Sequence, residues 1–155
     1  MNSAIPHRAT GIAAPLRAFL LAFVALVALA FPVRADDAAL PDAATLQAII
    51  SGQIAAFQHD DATAAYGYAS PDIQGVFTTP ETFMAMVKNS YGAIYRPRSV
   101  AFGTLEMSDQ GPVQTVYVTG MDGEAFIARY TFVKLPDGSW KINSVLIEKD
   151  DSPTI

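Results

Sequence analysis

Four stretches of alternating hydrophobicity close the chain, and the connections between them are too short for anything but a reversal. They run from about Ser99 to Met107, Val113 to Thr119, Ala125 to Val133 and Trp140 to Glu148. A period of two is the mark of strands that bury one face. Asp109-Gln110-Gly111, Asp122-Gly123 and Asp137-Gly138 lie between them, and each supplies a residue suited to positive φ. A crossover to a parallel neighbour needs about a dozen residues or more. Consecutive strands must therefore pair antiparallel, as a four-strand meander.

Ahead of the meander the apolar period is helical. Asp42 is placed to cap a helix on which Leu46, Ile49, Ile50, Ile54 and Phe57 share one face, interrupted by Gln53 and ended by His59-Asp60-Asp61. A second, Ala-rich helical stretch runs from about Ala62 to Ala69, and Ser70-Pro71-Asp72 reads as its stop or as a turn. Thr79-Pro80-Glu81 opens a further helix, with a capping hydroxyl, proline in the first turn and an acid near the positive end. Phe83, Met86, Val87, Tyr91 and Ile94 follow on one stripe, closed by Gly92 and Pro97. Helices first and an antiparallel sheet after them make an α+β domain.

The first 35 residues read as a removable leader. His7, Arg8 and Arg17 form a basic start, Ala18 to Phe31 is an uncharged apolar run of fourteen residues, and Val33-Arg34-Ala35 offers a signal-peptidase site after Ala35. A membrane-spanning helix needs about 20 apolar residues, so the run is too short to anchor the chain and no stable membrane insertion follows cleavage. The expected organisation is a signal peptide over 1–35, a flexible lead-in over 36–41, one domain over 42–149 and a frayed tail over 150–155. Export implies a periplasmic or secreted protein.

Cleavage removes Arg8, Arg17 and Arg34, leaving seven Lys+Arg against fifteen Asp+Glu and a net charge of −8. Such a surface repels nucleic acid. Cysteine is absent although an exported protein has access to an oxidising compartment, so thiol chemistry and thiolate metal sites are excluded. A single remaining histidine rules out a zinc site of several histidines, and no D-x-D-x-D-G spacing offers a calcium loop. No metal and no cofactor is expected.

Several short stretches carry a family resemblance together. They are Ala56-Phe57 with Asp60-Asp61, Ala69-Ser70-Pro71 with Ile73-Gln74, Phe77 with Thr79-Pro80-Glu81 and Phe83, Tyr95-Arg96-Pro97, and Asp137-Gly138-Ser139-Trp140-Lys141-Ile142. In these the chain resembles domain of unknown function 4864, a family of short exported bacterial proteins with no established activity. The order of elements also resembles the nuclear-transport-factor-2-like (cystatin-like) cone. That resemblance implies a bent sheet wrapped round the first helix, with a pocket at its wide end.

The candidate site residues each carry two readings. His59 beside Asp60 and Asp61 has the makings of a general base, and equally of a solvated helix end where a cationic ring suits the dipole. Asp60 and Asp61 are either a carboxylate pair facing a pocket or the cap of the second helix. Ketosteroid-isomerase-like members of the resembled superfamily pair an acidic base with a tyrosine donor, and Tyr66 is the candidate donor here, with Tyr68, Tyr91 and Tyr95 also in the helical half. Arg129, in mid-strand, would hold an anionic ligand or form a cross-strand pair with Glu106, Glu124 or Glu148. Arg96, Tyr91 and Tyr95 complete the ligand-binding candidates, with Arg98 close by; Pro97 holds Arg96 extended.

Strand three is apolar on both faces for much of its length: Phe126, Ala128, Tyr130 and Phe132 on one side, Ala125, Ile127 and Val133 on the other. A pocket lining and a dimer face both meet that pattern. The leading expectation is a non-catalytic envelope module that binds a small ligand or a partner protein. The alternatives are a small acid–base enzyme of isomerase or dehydratase type, built on a carboxylate and a tyrosine, and a structural homodimer.

Overall fold

The computed structural model describes residues 40–152; the expected leader over 1–35, the expected cleavage site after Ala35, most of the expected lead-in and the last three residues lie outside that range. Five helices come first: α1 (Ala43–Gln58), α2 (Ala62–Gly67), α3 (Pro71–Val76), α4 (Pro80–Ser90) and α5 (Gly92–Tyr95). Four strands follow: β1 (Ser99–Ser108), β2 (Gly111–Thr119), β3 (Ala125–Lys134) and β4 (Trp140–Lys149). They form one antiparallel sheet in the order β1-β2-β3-β4. The α+β arrangement is the one the change of period implies.

Side-chain caps start α1 to α4, while α5 has none. Asp42 caps α1 by accepting the Thr45 N–H at 3.2 Å, and Asp61 caps α2 by accepting the Ala64 N–H at 2.9 Å. Thr79 and Thr82 form a reciprocal capping box at the start of α4, with Pro80 in the first turn. The expectation that Ser70-Pro71-Asp72 is a stop or a turn is corrected here, because it opens a helix. Ser70 accepts the Ile73 N–H at 3.3 Å and Pro71 opens α3, which is the same grammar that opens α4. The stripe beyond Phe83 also divides, because α4 ends at Ser90 and Gly92 begins a separate turn of helix.

One core joins the two halves. Leu46, Ile50, Ile54 and Phe57 of α1 are buried against Val116 and Val118 of β2, Ala128, Tyr130 and Phe132 of β3, and Ile142 of β4. The register of the sheet carries two irregularities. In β1, Gly103 and Thr104 lie opposite Thr115 alone; in β4, Asn143 is an extra residue between the pairs Thr131↔Ser144 and Phe132↔Ile142. Such bulges bend a strand and re-aim its side chains. The buried Gln114 holds the first one, donating its amide to the carbonyls of Gly103 at 2.9 Å and Thr104 at 3.2 Å. The β4 edge is partly covered, since Ser70 donates to the Ile142 carbonyl at 2.8 Å and Ile142 to the Tyr68 carbonyl at 2.9 Å.

Candidate functional site

The helices do not fill the space against the inner face of the sheet, and a cavity of about 260 Å³ remains between them. Gln53 and Phe57 of α1, Ile73 of α3 with Phe77 just after it, and Phe83, Met86 and Val87 of α4 line its helical side. Tyr91 and Ile94 close one end, and Tyr130 with the run Ile142 to Val145 forms the sheet side. The volume falls just below that of typical ligand clefts, which run about 300–1,000 Å³ and are mostly apolar with a few placed polar groups. This lining has that character.

Specific hydrogen bonds hold the wall in place. The Tyr66 hydroxyl donates to the Phe77 carbonyl at 2.6 Å, and Gln74 returns its amide to the Tyr66 carbonyl at 3.0 Å. These bonds tie α3 and the loop after it to α2, which sets Ile73 and Phe77 over the cavity. Phe83 is the centre of an aromatic cluster, with ring centroids 5.7 Å from Tyr66 and 6.2 Å from Phe57 and Phe77. Tyr91 donates its hydroxyl to the Val145 carbonyl at 3.2 Å, bracing the helical side against the edge strand β4.

The polar groups of the lining are few. Gln53 is buried in α1 and donates to the Ala65 carbonyl at 3.3 Å. Asn143, carried inward by the β4 bulge, accepts from Ser70 Oγ at 2.7 Å. Tyr130 is 0% exposed, and its hydroxyl has no hydrogen-bonding partner among the described residues. Burial alone pushes its pKa well above the ordinary phenol value, so the group is a neutral hydroxyl. Among the described residues no aspartate, glutamate, histidine, lysine or arginine lines the cavity.

The charged candidates assemble elsewhere. Asp60 sits in the turn between α1 and α2 with φ 56°, a conformation that Asp tolerates better than most residues. Its carboxylate accepts from the Tyr95 hydroxyl and forms ion pairs with Lys88 at 2.9 Å and Arg96 at 2.8 Å. The Tyr95 hydrogen bond first, and Lys88 second, hold its carboxyl down at about 2. Lys88 and Arg96 also lie over the Tyr95 ring, each 5.2 Å from its centroid. Tyr95, Arg96 and Asp60 thus form a surface staple between the α1–α2 turn and α4–α5.

Asp61 turns away into the cap of α2, so the two adjacent carboxylates do not converge on the cavity. His59 is exposed at the end of α1, where its backbone N–H caps the helix through the Ala55 carbonyl. Arg129 stands on the outer face of β3, 55% exposed and 3.5 Å from Glu148 of β4. That is the cross-strand pair, on the side of the sheet opposite the inward Ala128 and Tyr130. Tyr91 is the one ligand-binding candidate that lines the cavity, and Tyr66 acts on its wall from behind.

Residues 39–155 match the family described as domain of unknown function (DUF4864). The chain belongs to the DUF4864 family. No curated protein matches it. The DUF4864 match spans every element that builds the cavity, from α1 to β4.

Among the cavity residues of this DUF4864 domain that were not site candidates in the sequence, Gln53, Tyr130 and Asn143 show why. Gln53 left a signal, a polar side chain breaking an apolar helical face. Tyr130 left half of one: its parity in β3 directs it inward, but whether its hydroxyl finds a partner depends on side chains far away in the chain. Asn143 left none, because a bulge that shifts the alternation of β4 is a property of the paired sheet.

Proposed function

We propose that this domain is a non-catalytic binding module that takes a small, mainly apolar molecule into the cavity between its helices and sheet, and that it works in the cell envelope after export. The observation that carries the reading is the cavity itself, apolar and continuous with an otherwise closely packed core. Protein interiors are close-packed, and gaps larger than a water molecule are few. The composition of the lining supports binding over acid–base catalysis, because it holds tyrosines and amides without a carboxylate or imidazole to act as base.

The test is mass spectrometry of small molecules released from the protein purified from its own envelope. A molecule present in stoichiometric amount in the wild type and lost in Ile73→Trp, whose indole intrudes into the cavity, is the expected result. Wild-type protein that carries nothing, and takes up no apolar probe, would remove the reading. Export rests on the leader, and an intact mass that begins at Asp36 is expected of the envelope form; a mature protein that keeps Met1 to Ala35 would overturn it.

A homodimer through the outer sheet face is the second reading. Tyr117 and Leu146 favour it, being 48% and 69% exposed on that face. Light scattering at micromolar concentration separates monomer from dimer, and Leu146→Glu should dissociate a dimer built there.

A further inference from the structure

We infer that the cavity takes molecules whose apolar body ends in one uncharged group that both donates and accepts a hydrogen bond, a carboxamide or an alcohol, and that Gln53 and Asn143 recognise that group from two sides. The inference rests on the binding reading above and adds the chemical class.

The lining sorts by depth. Phe57, Phe83 and Val87 are buried, while Met86, Tyr91 and the run Asn143 to Val145 are half-buried. The cavity therefore opens between its helical side and β4, above an apolar floor. An apolar body reaches that floor, and a polar end stays beside β4. Among the described residues no charged side chain lines the cavity, so an ionised end finds no counter-ion there.

The polar groups of the lining differ in what they still need. The Tyr130 hydroxyl is sealed even from water, so it meets no ligand. Tyr91 gives its proton to the Val145 carbonyl, and Ser144 is half-buried at the opening, where water serves its hydroxyl. The two amides are less fully used. Gln53 donates to the Ala65 carbonyl, which engages its nitrogen and leaves Oε1 without a partner among the described residues. Ser70 Oγ accepts the Ile73 N–H and gives its own proton to Asn143 Oδ1, which leaves the Asn143 Nδ2 hydrogens free.

Neither free end is sealed as the Tyr130 hydroxyl is. Gln53 is only 3% exposed and lines the cavity, so its oxygen is reached from there. The anchors of the two amides, Ala65 and Ser70, are five residues apart in the chain, which brings a bare acceptor and a bare donor to one flank of the cavity. In solution water serves both atoms. A molecule that displaces that water must return both bonds or leave a buried polar atom unpaired. A methyl group or a lone carbonyl returns one at most. A carboxamide returns both, its N–H to Gln53 and its oxygen to Asn143, and an alcohol does the same through one oxygen.

Four probes of nearly one shape separate the terms: ethylbenzene, acetophenone, benzamide and benzoate. An apolar cavity of about 150 Å³ is enough to hold benzene, so the 260 Å³ found here admits a substituted ring. Affinities are measured at neutral pH for the wild type, Gln53→Met, Asn143→Leu and Ile73→Trp. Gln53→Met is expected to weaken benzamide about tenfold, the equivalent of about 1.4 kcal/mol, while acetophenone and ethylbenzene bind as tightly or more so. Asn143→Leu should weaken benzamide and acetophenone alike and spare ethylbenzene. Benzoate should bind the wild type far below benzamide, because its second oxygen would face the Gln53 oxygen.

The side-chain amide resonances of 15N-labelled wild type give a measurement independent of any variant, and they decide the matter where a variant fails to fold. The Asn143 amide protons should move downfield with benzamide and acetophenone and not with ethylbenzene. Equal benzamide affinity in wild type and folded Gln53→Met, an Asn143 resonance indifferent to both carbonyl probes, or benzoate binding as tightly as benzamide would each overturn the class. A loss of benzamide confined to Ser144→Ala or Tyr91→Phe would overturn the assignment to the amides and give recognition to the hydroxyls of the opening. Failure of the binding reading looks different: none of the probes binds, or all bind Ile73→Trp undiminished.

Discussion

Asp61 accepts the Ala64 N–H as the cap of α2, while Asp60, one residue earlier, turns its carboxylate to Lys88, Arg96 and the Tyr95 hydroxyl. The backbone makes the division, since the positive φ of Asp60 sends the two side chains in different directions. For Asp61 the cap sets the expectation: Asp61→Asn should be nearly neutral, and Asp61→Ala should cost about 1 kcal/mol in chemical denaturation. Loss of a biological activity in Asp61→Asn at unchanged stability would instead make it a base. For Asp60 the expectation lies in pH. Its folded carboxyl is held at about 2 against an ordinary 3.8. A depressed carboxylate stabilises the fold fully above its unfolded pKa, and that contribution fades as pH falls from 3.8 toward 2. Asn tolerates the same backbone conformation, so Asp60→Asn removes the charge and keeps the turn. The melting temperatures of wild type and Asp60→Asn should differ above pH 4 and converge toward pH 2. A constant gap across that range would show that the ion pairs are not what Asp60 contributes.

At the scale of elements, the strands were legible to within a few residues because two independent signals agreed, alternation within each run and glycine between runs. Gly111 and Gly138 both take positive φ, at 114° and 86°. A side chain at Gly111 would also collide with the Phe132 carbonyl oxygen, whereas one at Gly138 meets open space. Gly138→Ala should therefore cost about 1–2 kcal/mol for backbone conformation alone. Gly111→Ala should cost distinctly more, and equal losses in denaturant would show that the contact relaxes freely. The helical half was less legible where signals were short. Ser70-Pro71-Asp72 carries the same opening grammar as Thr79-Pro80-Glu81, but α3 has six residues, too few for an apolar stripe to declare itself. The wall of the cavity was hidden for a related reason. Phe77 and Ile73 reach it through the bonds between Tyr66 and Gln74, which join segments whose spacing carries no periodic mark.

For the whole molecule, one core serves both stability and the cavity. Phe57 lies in the packed face of α1 at 2% exposure and also lines the cavity, so its ring supports the fold from a wall that is already partly empty. Phe57→Ala should destabilise by about 3–5 kcal/mol in denaturant titration, the range for a buried phenylalanine. A loss of a few tenths would mean that the neighbouring space lets the core collapse round the deletion. The open side of the sheet has a different consequence. Among the described residues β1 is an edge strand that pairs only with β2, and a flat, unpaired edge is a template on which further chains can add as strands. The bulge at Gly103 and Thr104 breaks the regular row of donors and acceptors along that edge, and the Gln114 amide keeps it in place through both carbonyls. A buried polar residue in the middle of β2 thus fixes the irregular shape of the neighbouring edge. Gln114→Leu should fold, straighten the edge and form thioflavin-binding aggregates at concentrations where the wild type stays monodisperse; an equally soluble variant would assign that protection elsewhere, to Glu106, the one charged side chain of β1.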